Sequence, residues 1–394
     1  MSYPMIQTKS PRIASIDLLR GMVMIFMALD HVRDYFHYDA FFFDPTDLSQ
    51  TNVALFITRF ITHYCAPVFV FLAGTSAFFV GQKRSKKELS VWLLKRGFWL
   101  IIVEVTIMKF GWNFNLNYTM TVFQVIWALG ASMLFLAAFI HVPKKLMIAI
   151  SLIAIFGHNL LDGYMPETWK NLWVLLHVQG PIVTPITTIF SAYPLIPWIF
   201  VMPLGYHFGL LYQQDFNQTL RIKWLRYMGV AAILLFIIIR YFNVYGDPTM
   251  WEPQKSFAFT VLSFINFAKY PPSLLYLLVT LGPTILLLSF AENWKGKLYN
   301  AVVTIGRVPM FFYIIHVYII HLLALLAVTL SGLSPKLMII DLFVTLTPEL
   351  KGYGYSLWVV YVIWFLLILA LYPVCKWYWN YKSNNRDKWW LSYL

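Results

Sequence analysis

Charge is scarce in this sequence: Asp, Glu, Lys and Arg make up 12% of the 394 residues, against 60% hydrophobic and 19% aromatic side chains. A soluble domain carries about 25% charged residues, so this balance excludes one and points to a polytopic membrane protein. Acids are scarcer still, 17 against 30 Lys and Arg, for a formal net charge of +13. That excess does not argue for nucleic acid, because the basic residues sit in short loops between apolar spans, as the positive-inside rule requires. Cysteine occurs only as Cys65 and Cys375, in or beside different apolar spans. With no CxxC or Cys/His ligand spacing, neither a disulfide framework nor a structural zinc site is suggested. A phosphate-binding Gly-rich loop is missing too, since GTSAFFVG and KGYGYS have the wrong spacing and context. The first apolar segment also lacks a small-residue cleavage site and runs into Asp30, His31, Arg33 and Asp34, so it reads as a retained span rather than a signal peptide.

What is present is a series of roughly ten apolar spans, near 13–36, 53–80, 91–112, 120–141, 145–161, 192–212, 227–245, 272–291, 301–330 and 355–375. The expected fold is an all-α, polytopic membrane helix bundle. It has a cytoplasmic tail over 1–12, a transmembrane domain over 13–376 and a cytoplasmic tail over 377–394. Loops holding Lys83, Arg84, Lys86, Lys87, Lys144, Lys145, Arg221, Lys223, Lys295 and Lys297 fall on one side, with the C-terminal lysines. Most acids, including Asp39, Asp44, Asp162, Asp247 and Glu349, fall on the other, so both termini are expected inside. The ninth span is over-long and is expected to tilt or break. Three segments on the acidic side, 167–194, 248–272 and 333–355, are too polar to cross and rich in Trp, Tyr, Phe and Pro. They suit interfacial pieces that roof a cavity.

The first span, IASIDLLRGMVMIFMALDHVRDYFH, carries charge where lipid disfavours it. Arg20 and His31 are eleven positions apart; at about 100° per residue they return to within roughly 20° of one azimuth, about 16 Å apart along the axis. Asp17 lies one turn before Arg20 on the same stripe. Ionisable groups at such depth face a protein interior or a wet cavity, and by default mark a functional site. In the second span Arg59 and His63 are four apart, on one face and near the depth of His31. With Asp30, Asp34, His37 and Asp39 around them, these residues predict one polar cluster; the bland reading is a polar knot that staples two helices. Glu104, His207, His316 and His321 stand alone in apolar spans, where an interhelical hydrogen bond is the default. Five positions separate His316 from His321, about 140° around a helix, which makes a poor metal pair.

The runs SIDLLRGMVMIFMALDH, CAPVFVFLAGTSAF, YPLIPWIFVMPLGYHFG, KYPPSLLYLLVTLGP and GRVPMFFYIIHVYIIH together resemble bacterial membrane proteins of the heparan-alpha-glucosaminide N-acetyltransferase catalytic-domain family, within a wider group of transmembrane acyltransferases. In that wider group an Arg, ten residues and a His on the first conserved span form an acyltransferase signature, matched here by Arg20 and His31. The chain departs from the lysosomal members, which carry an asparagine at the His31 position and a histidine further into the following loop, where His37 stands here with a different spacing. The resemblance implies transfer of an acyl group, acetyl foremost, from cytoplasmic acyl-coenzyme A across a bacterial inner membrane to an amino sugar or other glycan, without a metal. A homodimer is compatible with it.

On that reading His31 is the base, with Asp30 or Asp34 orienting it and Arg59 steadying the oxyanion or acceptor. His63 joins the catalytic cluster; Arg20 and Arg307 hold the phosphates of coenzyme A. His37, Asp34 and Asp39 face the acceptor. Direct attack and an acyl-histidine intermediate are both open. A proton-coupled small-molecule transporter and a non-catalytic scaffold are the competing readings, since intramembrane histidines also serve carriers.

Overall fold

The computed structural model describes residues 13–393, so the expected tail over 1–12 lies outside the described residues. The described residues are mostly helical, and among them six helical stretches are long and apolar enough to cross a membrane. Helix α1 (Ala14–Phe36) is not one of the six, because it carries too many charges, yet it is the hub of the molecule. It packs against α2 (Val53–Thr62) and α3 (Cys65–Gly81), and later against four C-terminal helices. Helices α2 and α3 form one apolar stretch broken at His63 and Tyr64. Pro67 has no N–H to offer the His63 carbonyl, and that carbonyl instead accepts from the Tyr276 hydroxyl at 2.8 Å.

Helix α4 (Lys86–Val103) starts on a Ser85–Glu88 capping box and leads through a π-helical turn, 104–108, into α5 (Lys109–Asn113). The wide turn brings Glu104 inside, where it accepts from the Trp127 amide at 3.1 Å, in the first turn of α6 (Val125–Phe139). Residues 120–123, expected to open that span, instead form strand β1 (Met120–Phe123). After α7 (Lys144–Gly157) and α8 (Lys170–Leu176), strands β2 (Gly180–Val183) and β3 (Thr188–Ser191) complete a three-stranded sheet in the order β1-β3-β2. Its register is set by the parallel pair Met120 and Thr188 and the antiparallel pair Gly180 and Ser191. The bundle is helical as expected, and this small sheet of β-branched and aromatic residues stands next to it.

The remaining helices are α9 (Trp198–Phe208), α10 (Gln218–Phe242), α11 (Phe257–Phe264), α12 (Leu274–Ala291), α13 (Lys297–Gly306), α14 (Pro309–Leu330) and α15 (Leu357–Asn384). The over-long ninth span breaks between α13 and α14, where Pro309 takes the first helical position and turns Val308 out of the helix. Helix α15 runs past the expected boundary at 376.

Four helix pairs are joined by reciprocal glycines. A Cβ on Gly21 of α1 would lie 2.0 Å from the Val302 carbonyl oxygen of α13, and one on Gly306 would lie 1.8 Å from that of Asp17. Gly74 of α3 and Gly205 of α9 stand likewise, at 2.0 and 1.9 Å from the carbonyls of Met202 and Phe71. Gly97 with Gly130 joins α4 to α6, and Gly229 with Gly282 joins α10 to α12. In lipid, where the hydrophobic effect does not press helices together, such backbone contact supplies the packing.

The two ends of the bundle are tied differently. At the Arg20 end, Arg221 of α10 makes a double ion pair with Glu292 after α12, at 2.5 and 2.9 Å. The His31 end carries the sheet, α8, α11 and a strap over 331–356. Bundle side chains hold this strap: Asn113 donates to the Ile340 carbonyl at 2.9 Å, His321 lies 2.8 Å from that of Met338, and His37 lies 3.0 Å from that of Tyr355.

Candidate functional site

Beyond the last turns of α1 lies a cavity of about 750 Å³. Asp30, His31 and Asp34 line it from α1, Arg59 from α2, Cys65 from α3 and Tyr313 from α14. The three segments expected as a roof close over it, contributing Tyr193, Tyr270 and Phe343 among others. Aromatic walls with a few converging polar groups are the usual make-up of a small-molecule site.

His31 is half-buried at the cavity wall. Its Nδ1 lies 2.8 Å from Nε2 of His316 on α14, and the edge of its ring meets Trp112 at 4.6 Å between centroids. His316 is fully buried, and its Nδ1 lies 2.9 Å from the Phe312 carbonyl oxygen. The polar residue behind His31 is therefore this histidine, where Asp30 or Asp34 was expected. Asp30 is bound elsewhere: both carboxylate oxygens accept from Nη1 of Arg59, at 2.8 and 2.6 Å, and Nη1 of Arg33 is 2.8 Å away. Asp34 takes a 2.6 Å bond from Nη2 of Arg33. Two guanidiniums thus share two carboxylates at the mouth of the site. In the loop above, Asp44 is pushed up by burial, but the Arg59 charge and hydrogen bonds from Thr46 outweigh this and hold it below the usual carboxylate range.

Not all of the expected cluster converges. His63 is buried against Phe267 and Tyr276 and lines an adjoining chamber of about 300 Å³, which shares Arg59, Lys269 and Tyr270 with the main cavity, whereas His31 lines the main cavity. His63 thus stays on the Arg59 side, as the four-residue spacing predicts, but that side opens here on the chamber walled by Phe267 and Ala268. His37 is buried outside both chambers, held by the Tyr355 carbonyl and by Asp39 at 3.4 Å. At the far end of α1, Arg20 is engaged three ways: by Asp17 at 2.7 Å, the Gly306 carbonyl at 3.2 Å and Ser76 at 3.1 Å. Arg307 lies 3.7 Å from Asp17 with its side chain 30% exposed and stacks over Trp379.

Sequence reasoning passed over His316 as a lone helix histidine; its signal was the pair of histidines in the apolar run of α14. The interhelical bond expected of it exists, and its partner is His31. An expected result follows from the charge arrangement. Asp30→Ala, by leaving Arg59 and Arg33 short of a carboxylate in a buried place, costs about 3–5 kcal/mol of stability. Thermal unfolding of the purified variant checks it, and a midpoint unchanged from wild type would show that the ion pairs are slack.

No curated protein matches the chain. Residues 12–245 match the family described as heparan-alpha-glucosaminide N-acetyltransferase, catalytic, a stretch that includes Arg20, His31, Arg59 and His63 and stops before His316. Since that match covers more than half of the sequence, the chain belongs to this family of membrane acetyltransferases.

Proposed function

We propose that the protein transfers an acetyl group from acetyl-coenzyme A on one side of the membrane to an amine or hydroxyl of a glycan, an amino sugar foremost, on the other. The single observation that carries this reading is His31, backed by His316 at the wall of the aromatic-lined cavity. Ten crossings with both termini inside suit the charge distribution of the loops and put the His31 end outside. A bacterial cytoplasmic membrane is the setting we assign. The carrier alternative finds no support in the family match.

In the proposed step, Nε2 of His31 takes the proton from the acceptor nitrogen or oxygen as that atom attacks the thioester carbonyl. The new C–N or C–O bond forms, the C–S bond breaks, and the coenzyme A thiolate leaves and receives that proton from the imidazolium. Arg59 stands on the same cavity wall, where its remaining donors suit the developing oxyanion. At the other end of α1, Arg307 is a partly exposed guanidinium suited to a phosphate of coenzyme A. Arg20, with three of its five donors already held by Asp17, Gly306 and Ser76, supports that end as a tie between α1, α3 and α13.

The test is sided. In proteoliposomes with acetyl-coenzyme A on one side only and glucosamine on the other, N-acetylglucosamine accumulates on the glucosamine side. Arg307→Ala weakens acetyl-coenzyme A binding by calorimetry about tenfold or more, the worth of one charge-assisted hydrogen bond. No transfer and no binding by a folded wild type would overturn the reading.

A further inference from the structure

We propose that His316 fixes the tautomer of His31, so that Nδ1 of His31 carries its hydrogen and Nε2 faces the cavity bare. This rests on the reading of His31 as the base, and it makes His316 a positioning residue that never meets the substrate.

The argument begins at the closed end. The Phe312 carbonyl oxygen can only accept, so Nδ1 of His316, 2.9 Å from it, must carry a hydrogen. In a neutral ring the other nitrogen, Nε2, then bears only a lone pair. That lone pair sits 2.8 Å from Nδ1 of His31. Two lone pairs at this distance would repel, so Nδ1 of His31 donates, and its neutral ring keeps its basic lone pair on Nε2.

The ring geometry fits a donor in plane. The two imidazoles are 16° from parallel with centroids 5.0 Å apart. Face-to-face stacking at van der Waals separation would hold the nitrogens apart by more than 2.8 Å, so the rings meet edge to edge. Burial gives the chain its direction: His316 is fully buried and lies outside the cavity lining, whereas His31 is part of it. With Nδ1 turned back toward α14, Nε2 of His31 points the other way. The same bond serves both charge states, because an imidazolium at His31 still donates from Nδ1 to His316. The proton taken from the acceptor is therefore received without rearranging the chain, and the positive ring keeps an acceptor behind it.

The hydrogen positions are read directly by ¹⁵N NMR of histidine-labelled protein in nanodiscs, with His31 assigned by loss of its signals in His31→Gln. At neutral pH the wild type shows His31 protonated at Nδ1 and bare at Nε2, and His316→Phe abolishes that preference. Kinetics supply the second arm. His316→Gln, whose amide oxygen can accept from His31, stays within about tenfold of wild type in acetyl transfer. His316→Phe loses about 10²-fold or more in kcat with the KM for acetyl-coenzyme A little changed. A wild type protonated at Nε2 of His31, or a Phe variant as active as the Gln variant, would overturn the inference. If His316→Phe fails to fold, the wild-type spectrum and the Gln variant still decide. The NMR arm needs no turnover, so a protein with the stated tautomer and no transferase activity would remove the function and leave the tautomer standing.

Discussion

His31→Ala loses about 10²- to 10⁴-fold in acetyl transfer to glucosamine, while His37→Ala stays within about tenfold of wild type. The two histidines are six residues apart, and only one of them meets the cavity. His31 presents its ring to that space with a buried partner behind it, so on the proposed function its removal takes away the proton acceptor and leaves the cavity itself in place. His37 spends its ring on the Tyr355 carbonyl and Asp39, at the edge of the strap. Its loss loosens a fastening. Initial rates with both substrates saturating, on variants of matched thermal stability, measure the contrast. The reverse ranking would move the base to the loop, as the lysosomal pattern of the family implies.

Gly306→Val prevents a stable fold or costs well over 3 kcal/mol, the upper end of ordinary overpacking. The side chain would have to enter where a single Cβ already lies 1.8 Å from the Asp17 carbonyl oxygen, and backbone cannot step aside as a flexible side chain can. Parting α1 from α13 also pulls Arg20 off the Gly306 carbonyl. Set against a typical stability of about 5–15 kcal/mol, a loss of this size is severe. Size-exclusion chromatography and thermal unfolding in detergent, with Gly157→Ala as a control that meets nothing within 4 Å, check the expectation. A Gly306→Val protein that unfolds like wild type would mean that this crossing is looser than its carbonyl contacts indicate.

Much of this architecture was readable from residues. The charged face of α1, the three aromatic segments over the cavity and the break in the ninth span all follow from local rules of hydropathy, helix period and proline. Strand β1 was not readable, because MTVF is as apolar as a span and only pairing with β3, far along the chain, makes it extended. His63 shares the Arg59 side, as four-residue spacing predicts, but which chamber that side meets is set by Phe267 and Tyr276, far along the chain. The His31–His316 contact joins residues 285 positions apart, and helix period says nothing about which face of α14 meets α1. Arg20 shows the converse. Its place on the stripe is legible, but the Ser76 and Gly306 partners that occupy it come from elsewhere in the chain.

The strap over 331–356 is fastened through its own main-chain carbonyls. Asn113, His321 and His37, all outside it, reach the carbonyls of Ile340, Met338 and Tyr355, and its buried anchors include Met338, Ile340, Val344, Leu350 and Tyr353. The side chains it turns to the cavity are mostly others: Leu342, Phe343, Thr345, Leu346 and Lys351. Attachment and lining are thus written mostly in different letters of one segment, Val344 serving both. Mutation can rewrite the cavity wall while the strap stays docked, so on the proposed function acceptor preference in descendants of this chain can drift without passing through an unfolded ancestor.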